Sequence, residues 1–344
     1  MAHLQAAPDR NHRTARAAAV ITGLCVLILL AFIISMNTGV IRLAPADVAR
    51  TLFGGGTDQQ KLILFDFRLP RIVISLLVGA GFAVSGAILQ GVSRNALADP
   101  GLLGINAGAG LAVVLYISFF PVKEEAPVFF MPLLALLGAG TAAALVYLLA
   151  YKKEQGISST RLILIGIAVA AGMGALMLVL TIRLDPKNYQ FIAVWLAGSI
   201  WGTSWKYVTA VLPWMLVLLP LVFYKARVLD VLHLGEQVAA GLGVAIERER
   251  RRLLAAAVVL AGVCVAVGGG IGFVGLIGPH LARLLVGPKH RYLLPASALT
   301  GALMLLVADT LGRWILQPTE VPTGIVVAVI GAPYFLYLLS RSKA

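Results

Sequence analysis

Apolar runs of helical length recur along the chain, at roughly 17–36, 70–91, 102–120, 127–151, 161–182, 206–224, 253–270, 273–286, 293–316 and 322–339. An α-helix rises about 1.5 Å per residue, so about 20 apolar residues cross the roughly 30 Å hydrocarbon layer of a membrane. Most of these runs are long enough to do so. The run at 273–286 is short, and its length alone reads as a re-entrant or buried segment. The stretch 188–202 places Trp195 and Trp201 beside Gly198 and Gly202. It reads as an interfacial or partly inserted helix, because tryptophan favours the membrane–water boundary. The pattern predicts an all-α integral membrane protein with about ten transmembrane helices. The remaining segments leave no room for a sizeable soluble domain, so residues 1–344 form a single transmembrane domain.

Composition strengthens this picture. Of the 344 residues, 60% are hydrophobic and 12% charged, against about 25% charged in an ordinary soluble domain. The net charge of +13 is not read as a nucleic-acid signal, since basic blocks beside apolar spans report membrane orientation. Basic residues concentrate in the tail 1–16 and around 92–101, 152–161, 225–252, 287–292 and the C-terminus. The positive-inside rule then places both termini in the cytoplasm. Arg10, Arg13 and Arg16 ahead of Ala17–Met36 superficially resemble a secretory signal. The run is long enough to span and no small-residue cleavage site follows, so an uncleaved first helix is expected. The longest inside loop, 225–252, contains LGEQVAAGLGV. It reads as a helical pair, either a solvated connector or a docking surface for a cytoplasmic partner. Cys25 and Cys264 have no disulfide or metal spacing.

Gly270, Gly272 and Gly275 form a GxGxxG. Without a preceding strand or a downstream acidic partner, it does not read as a dinucleotide site. There is no GxxxxGK[ST], HExxH or GxSxG, and the histidines are scattered. No enzyme site, metal site or cofactor is therefore expected. Charges within spans are costly and informative. Asp309 and Arg313 stand four residues apart on one helix face, either as a local ion pair or as part of an outer surface that meets an acidic partner. Arg68 and Arg71 flank Leu69 and Pro70 in FRLPR, at the start of the second span. They form an outer basic cluster or a snorkelling anchor.

Several strings together resemble the FecCD-type permease family, the iron-siderophore and cobalamin importers of the type II ABC class. They are FRLPRIVISLLVGAGFAVSGAILQGVSRNALADPGLLGINAGAG, SSTRLILIGIAV, LGEQVAAGLGV, GGGIGFVGLIGPHLARLLVGPKHRYLLPASALTGALMLLVADTLGR and EVPTGIVVAVIGAPYFLYLL, covering nearly the whole chain. The count of ten spans leans partly on this resemblance. It implies the type II ABC importer permease fold, a second permease subunit (identical or paralogous), two cytoplasmic ABC ATPase subunits, and an extracytoplasmic binding protein that delivers a ferric-siderophore cargo. Cobalamin and haem are the alternative cargoes. Carried over, binding-protein docking falls on Arg68, Arg71 and Arg313, and ATPase coupling on Gly235, Glu236, Ala240 and Gly243. The cytoplasmic gate falls on Asn95, Leu97, Ser159 and Thr160. Alternating access at the bacterial cytoplasmic membrane is the implied mechanism. An ion-coupled secondary transporter would need ionisable residues near the midplane, and Asp309 is the acidic candidate. An intramembrane enzyme would need a nucleophile and base on facing helices, and none stands out.

Overall fold

Within lipid no water satisfies the backbone, so each apolar run closes its hydrogen bonds internally as a helix. The computed structural model describes residues 10–39, 41, 43–120, 129–152 and 156–341. The helices are, in order, α1 (Arg10–Asn37), α2 (Pro45–Leu52), α3 (Asp58–Lys61), α4 (Leu69–Ser93), α5 (Ile105–Phe119), α6 (Phe130–Ala150), α7 (Ser159–Thr181), α8 (Pro186–Leu196), α9 (Trp205–Tyr224), α10 (Ala226–His233), α11 (Glu236–Gly241), α12 (Ile246–Gly268), α13 (Val274–Val286), α14 (His290–Ile315) and α15 (Thr323–Arg341). A two-residue hairpin pairs Tyr151–Lys152 with Gly156–Ile157.

Seven helices are long and apolar enough to cross a membrane, and α5, α13 and the Thr323–Tyr337 part of α15 are shorter apolar helices. Together they occupy the ten runs expected from the sequence. The short run at 273–286 is α13, whose 13 residues reach only about 20 Å. It begins after a non-helical turn, Gly269–Phe273. The second span differs from expectation at its start. Thr57 and Gln60 form a reciprocal capping box that nucleates α3. A π-helical segment, Leu62–Arg68, then carries the helix into α4, so one rod runs from Asp58 to Ser93. The stretch 188–202 becomes α8, capped at its start by the Asp185 side chain. The chain then turns through Gly198 at φ 81°, a conformation open to glycine because it lacks a Cβ.

α4 and α14 form the centre, with α12 and α13 packed on α4. Their crossing depends on two glycines. A Cβ on Gly301 would lie 2.3 Å from the Gly79 carbonyl oxygen, and one on Gly79 would lie 2.3 Å from that of Gly301. Small residues let helices approach where no hydrophobic effect drives them together. α7 stands at the edge, with Leu164, Leu178, Val179 and Ile182 exposed. Successive spans run in opposite directions, which sorts the connections to two ends. Segments 43–68, 182–204 and 316–322 lie at one end, hereafter the Arg71 end. Segments 94–104, 225–245 and 287–289 lie at the other, the His290 end. There α10 buries Leu229 and Leu232 against α4 and α14, and α11 follows it as the expected helical pair.

Replacing Gly301 with Val is expected to force α4 and α14 apart, at a cost of about 1–3 kcal/mol for overpacking. The thermal midpoint of detergent-purified protein checks this, with Gly140→Val as the control. No atom lies within 4 Å of a Cβ built at Gly140, so its midpoint should stay near wild type.

Candidate functional site

At the Arg71 end, one carboxylate organises the charged residues. Asp309 on α14 is fully buried. The Arg71 guanidinium of α4 donates to it from Nε at 2.9 Å and approaches with Nη2 at 2.8 Å. Arg313, one turn along α14, places Nε 3.1 Å from the second oxygen. Thr323 at the start of α15 donates its hydroxyl at 3.2 Å. The Arg71 Nη1 donates to Glu320 at 2.8 Å. This network ties α4, α14 and the 316–323 connection together. The local pairing of Asp309 and Arg313 expected from their spacing is present, and Arg71 and Glu320 enlarge it.

Arg68 and Arg313 are both buried. Arg68 donates to the carbonyl oxygens of Met36 and Ile41. Arg313 donates to the Thr38 carbonyl at 3.1 Å and to the Ser35 hydroxyl. These two cations thus satisfy the backbone where α1 ends, since carbonyls in the last turn of a helix have no partner within it. Arg71 differs in lining a cavity of about 750 Å³ with residues of α8, the 199–201 turn and the 318–322 segment. The structure therefore brings the three sequence-singled arginines to one end and gives each a different environment.

At the His290 end, the Asn95 side chain accepts from the Leu97 N–H at 2.9 Å. This closes a tight turn after Arg94, which adopts a left-handed conformation at φ 52°. Ala98 and Asp99, just beyond, share a small cavity with Leu162 and Ile163 of α7. Residues just after the Asn95–Leu97 turn thus border the N-terminal part of α7. The side chains of Ser159 and Glu236 lie outside the described residues. Burial pushes the Asp99 carboxyl up to about 6, against the opposing hydrogen bond from the Gly101 N–H. Gly235 and Gly243 bracket α11 at φ 112° and 78°, and Ala240 is exposed on it. The Gly235 turn stands beside Arg94, so the 235–243 segment meets the turn that follows α4.

α10 is anchored by Asp230, which accepts from the His290 backbone at 2.8 Å and lies 2.7 Å from its Nδ1. Burial works to raise the Asp230 carboxyl, but the hydrogen bonds from His290, with the charges of His290 and Lys289, hold it below the usual carboxylate range. Burial, followed by the charges of His290, Arg283 and Arg94, lowers His233. Sequence reasoning passed over Glu320, Thr323 and the Asp230–His290 contact. The available signal was Glu320 in EVPTG, a lone acid directly before a span. Among the described residues no group of three or more His, Cys, Asp or Glu could hold a metal ion.

A protein-family comparison matches residues 27–341 to the model of the FecCD transport family. The chain is 53% identical over 321 residues to the iron(3+)-hydroxamate import system permease protein FhuG of Bacillus subtilis (strain 168), covering 92% of this chain and 95% of that protein. It is 44% identical over 322 residues to the iron-uptake system permease protein FeuC of the same organism, covering 92% and 96%. A solved structure described as an inward-facing metal-chelate type ABC transporter superposes with a TM-score of 0.82 at 32% identity, covering 94% of this chain and 99% of that chain.

Asp309→Ala is expected to destabilise the protein by about 3–5 kcal/mol, because it strands buried cations. Glu320→Ala should cost several times less, since the Glu320 carboxylate is only partly buried. Thermal unfolding of the two variants side by side checks the ranking.

Proposed function

The chain belongs to the FecCD transport family, and we propose that it is the permease subunit of an ATP-binding-cassette importer carrying a ferric siderophore across the bacterial cytoplasmic membrane. The observation that carries this reading is the match to a hydroxamate permease along nearly the full length of both chains. The fold shared with a metal-chelate transporter supports it. A ferric hydroxamate is the first cargo to test.

In this reading a second permease subunit completes the pathway, and two separate ATPase subunits hydrolyse ATP, since this sequence has no P-loop. The concentration of basic residues at the His290 end orients that end, with both termini, to the cytoplasm. The α10–α11 pair, with Gly235, Glu236, Ala240 and Gly243, then receives the stroke of the ATPases. Support comes from its anchorage to α14 through Asp230 and His290 and from its position beside Arg94, which directly precedes the Asn95–Leu97 turn. Movement of α10 would shift the gate formed by Asn95, Leu97, Ser159 and Thr160. ATP binding would thus change access without any covalent chemistry in this chain.

The Arg71 end then faces the binding protein. Arg68, Arg71 and Arg313 build the docking surface for its acidic residues. Arg71 is the one of the three that lines the open cavity, at whose edge it presents its pairing with Asp309 and Glu320 to the partner. Arg68 and Arg313 hold the end of α1 beneath it.

Two outcomes test this assignment. In cells deleted for this chain, uptake of radiolabelled ferric hydroxamate should fall to background while unrelated iron chelates continue to enter. Loss of cobalamin or haem uptake instead would reassign the cargo. In purified importer, Arg71→Glu should weaken binding-protein docking at least tenfold, about 1.4 kcal/mol, as read by surface plasmon resonance. An unchanged affinity would remove Arg71 from the docking surface.

A further inference from the structure

The 750 Å³ cavity at the Arg71 end is within the range of small-molecule sites, about 300–1,000 Å³. Its lining joins Phe191, Trp195 and Trp201 with Lys187, Gln190 and Glu320. Trp201 is 68% exposed and Phe191 50% exposed, so the protein's own packing leaves their faces open. Aromatic faces beside a few polar groups are the usual make-up of a site for an organic ligand. The charges are unequal in availability. Arg71 is committed to Asp309 and Glu320, whereas Lys187 makes no ion pair among the described residues.

Backbone beside the cavity is tied to the turn between α12 and α13. The Trp195 carbonyl accepts from Gly270 N–H at 3.2 Å, in the non-helical turn between α12 and α13, and the Gly198 carbonyl accepts from Gly324 N–H at 2.9 Å. Asn106, on the helix that follows the gate turn, reaches the same break through the Ile271 carbonyl at 3.5 Å. Irregular backbone at membrane depth persists where it is buried in protein or lines a water-filled cavity. The backbone at Trp195 and Gly198, beside the cavity, is therefore joined to the α12–α13 turn and to the start of α15.

We propose that this cavity is a hand-over site for the cargo. The organic shell of a ferric chelate rests on Phe191, Trp195 and Trp201. Lys187 and Gln190 donate hydrogen bonds to its oxygen ligands. The proposal rests on the importer reading and adds the site and its chemistry to it. A chelate released into an open, water-filled mouth would diffuse back out before the stroke closes. A few aromatic contacts hold it long enough, yet loosely enough to pass on, as conduction through a pathway requires.

The test uses the whole importer, purified through a tag on this chain and reconstituted in proteoliposomes with its binding protein. It reads radiolabelled iron delivered per ATP hydrolysed, with ferrichrome and ferric citrate as probes. Trp201→Ala is expected to lower this ratio at least threefold for the probe that wild type carries, and Trp201→Phe to restore most of it. An unchanged ratio overturns the site, including the case where transport and hydrolysis fall together through structural damage. So does failure of Trp201→Phe to restore the ratio. Wild-type importer that moves neither probe removes the siderophore reading and this site with it. A wild type that moves a probe, with Trp201→Ala indifferent, removes the site alone.

Discussion

A carboxylate with no access to water cannot stand alone, and the Asp309 carboxylate sets the arrangement at one end of this protein. Two guanidiniums and a hydroxyl converge on it from α4, α14 and the start of α15. Desolvating these charges is expensive, and the expense is offset only when geometry is good and the remaining donors are used. They are used here. Arg313 extends to the end of α1, and Arg71 extends to Glu320 at the cavity edge. The ionic centre therefore fixes four chain segments relative to one another, in a solvent where burial of apolar surface does little to hold helices together.

The close approach of α4 and α14 has a related cause. Glycine at 79 and 301 brings the two backbones into contact, and the same two helices carry Arg71 and Asp309. Tight packing at mid-depth and ion pairing at the end support each other, because helices that approach at Gly79 cannot splay at Arg71 without bending. At the opposite end, α14 begins with His290, whose bonds to Asp230 seat α10. One central helix thus links the cavity end to the loop cluster proposed to meet the ATPases. That continuity gives a physical route for coupling, carried by a rigid element whose two ends are both anchored.

Much of this architecture was legible in the chain. Ten apolar runs became helices because a lipid-embedded backbone has no other open solution. The GEQVAAG segment gave a short helix flanked by glycine turns, and the i, i+4 spacing of Asp309 and Arg313 gave their contact, since both follow from local geometry. The extension of the second span back to Asp58 was less visible. It depends on a capping box in a polar stretch and on a π-helical segment that hydropathy does not register. The arginines were recognisable as a basic cluster at one end. Their separate environments were not, because each is defined by groups 27 to 278 residues away.

By itself the sequence determined the apolar helical runs and their order, the lack of a GxxxxGK[ST] loop, and the family, because these depend on residue type and local spacing. Only the tertiary structure decided that Arg68 and Arg313 turn inward while Arg71 borders a cavity. It alone set Glu320 against Arg71, Asp230 against His290, and the aromatic residues of α8 and the 199–201 turn around one cavity. Those outcomes depend on how helices distant in sequence cross. In a membrane that crossing is settled by backbone close approach and by the need of every buried charge for a partner, and neither is written in any single stretch of the chain.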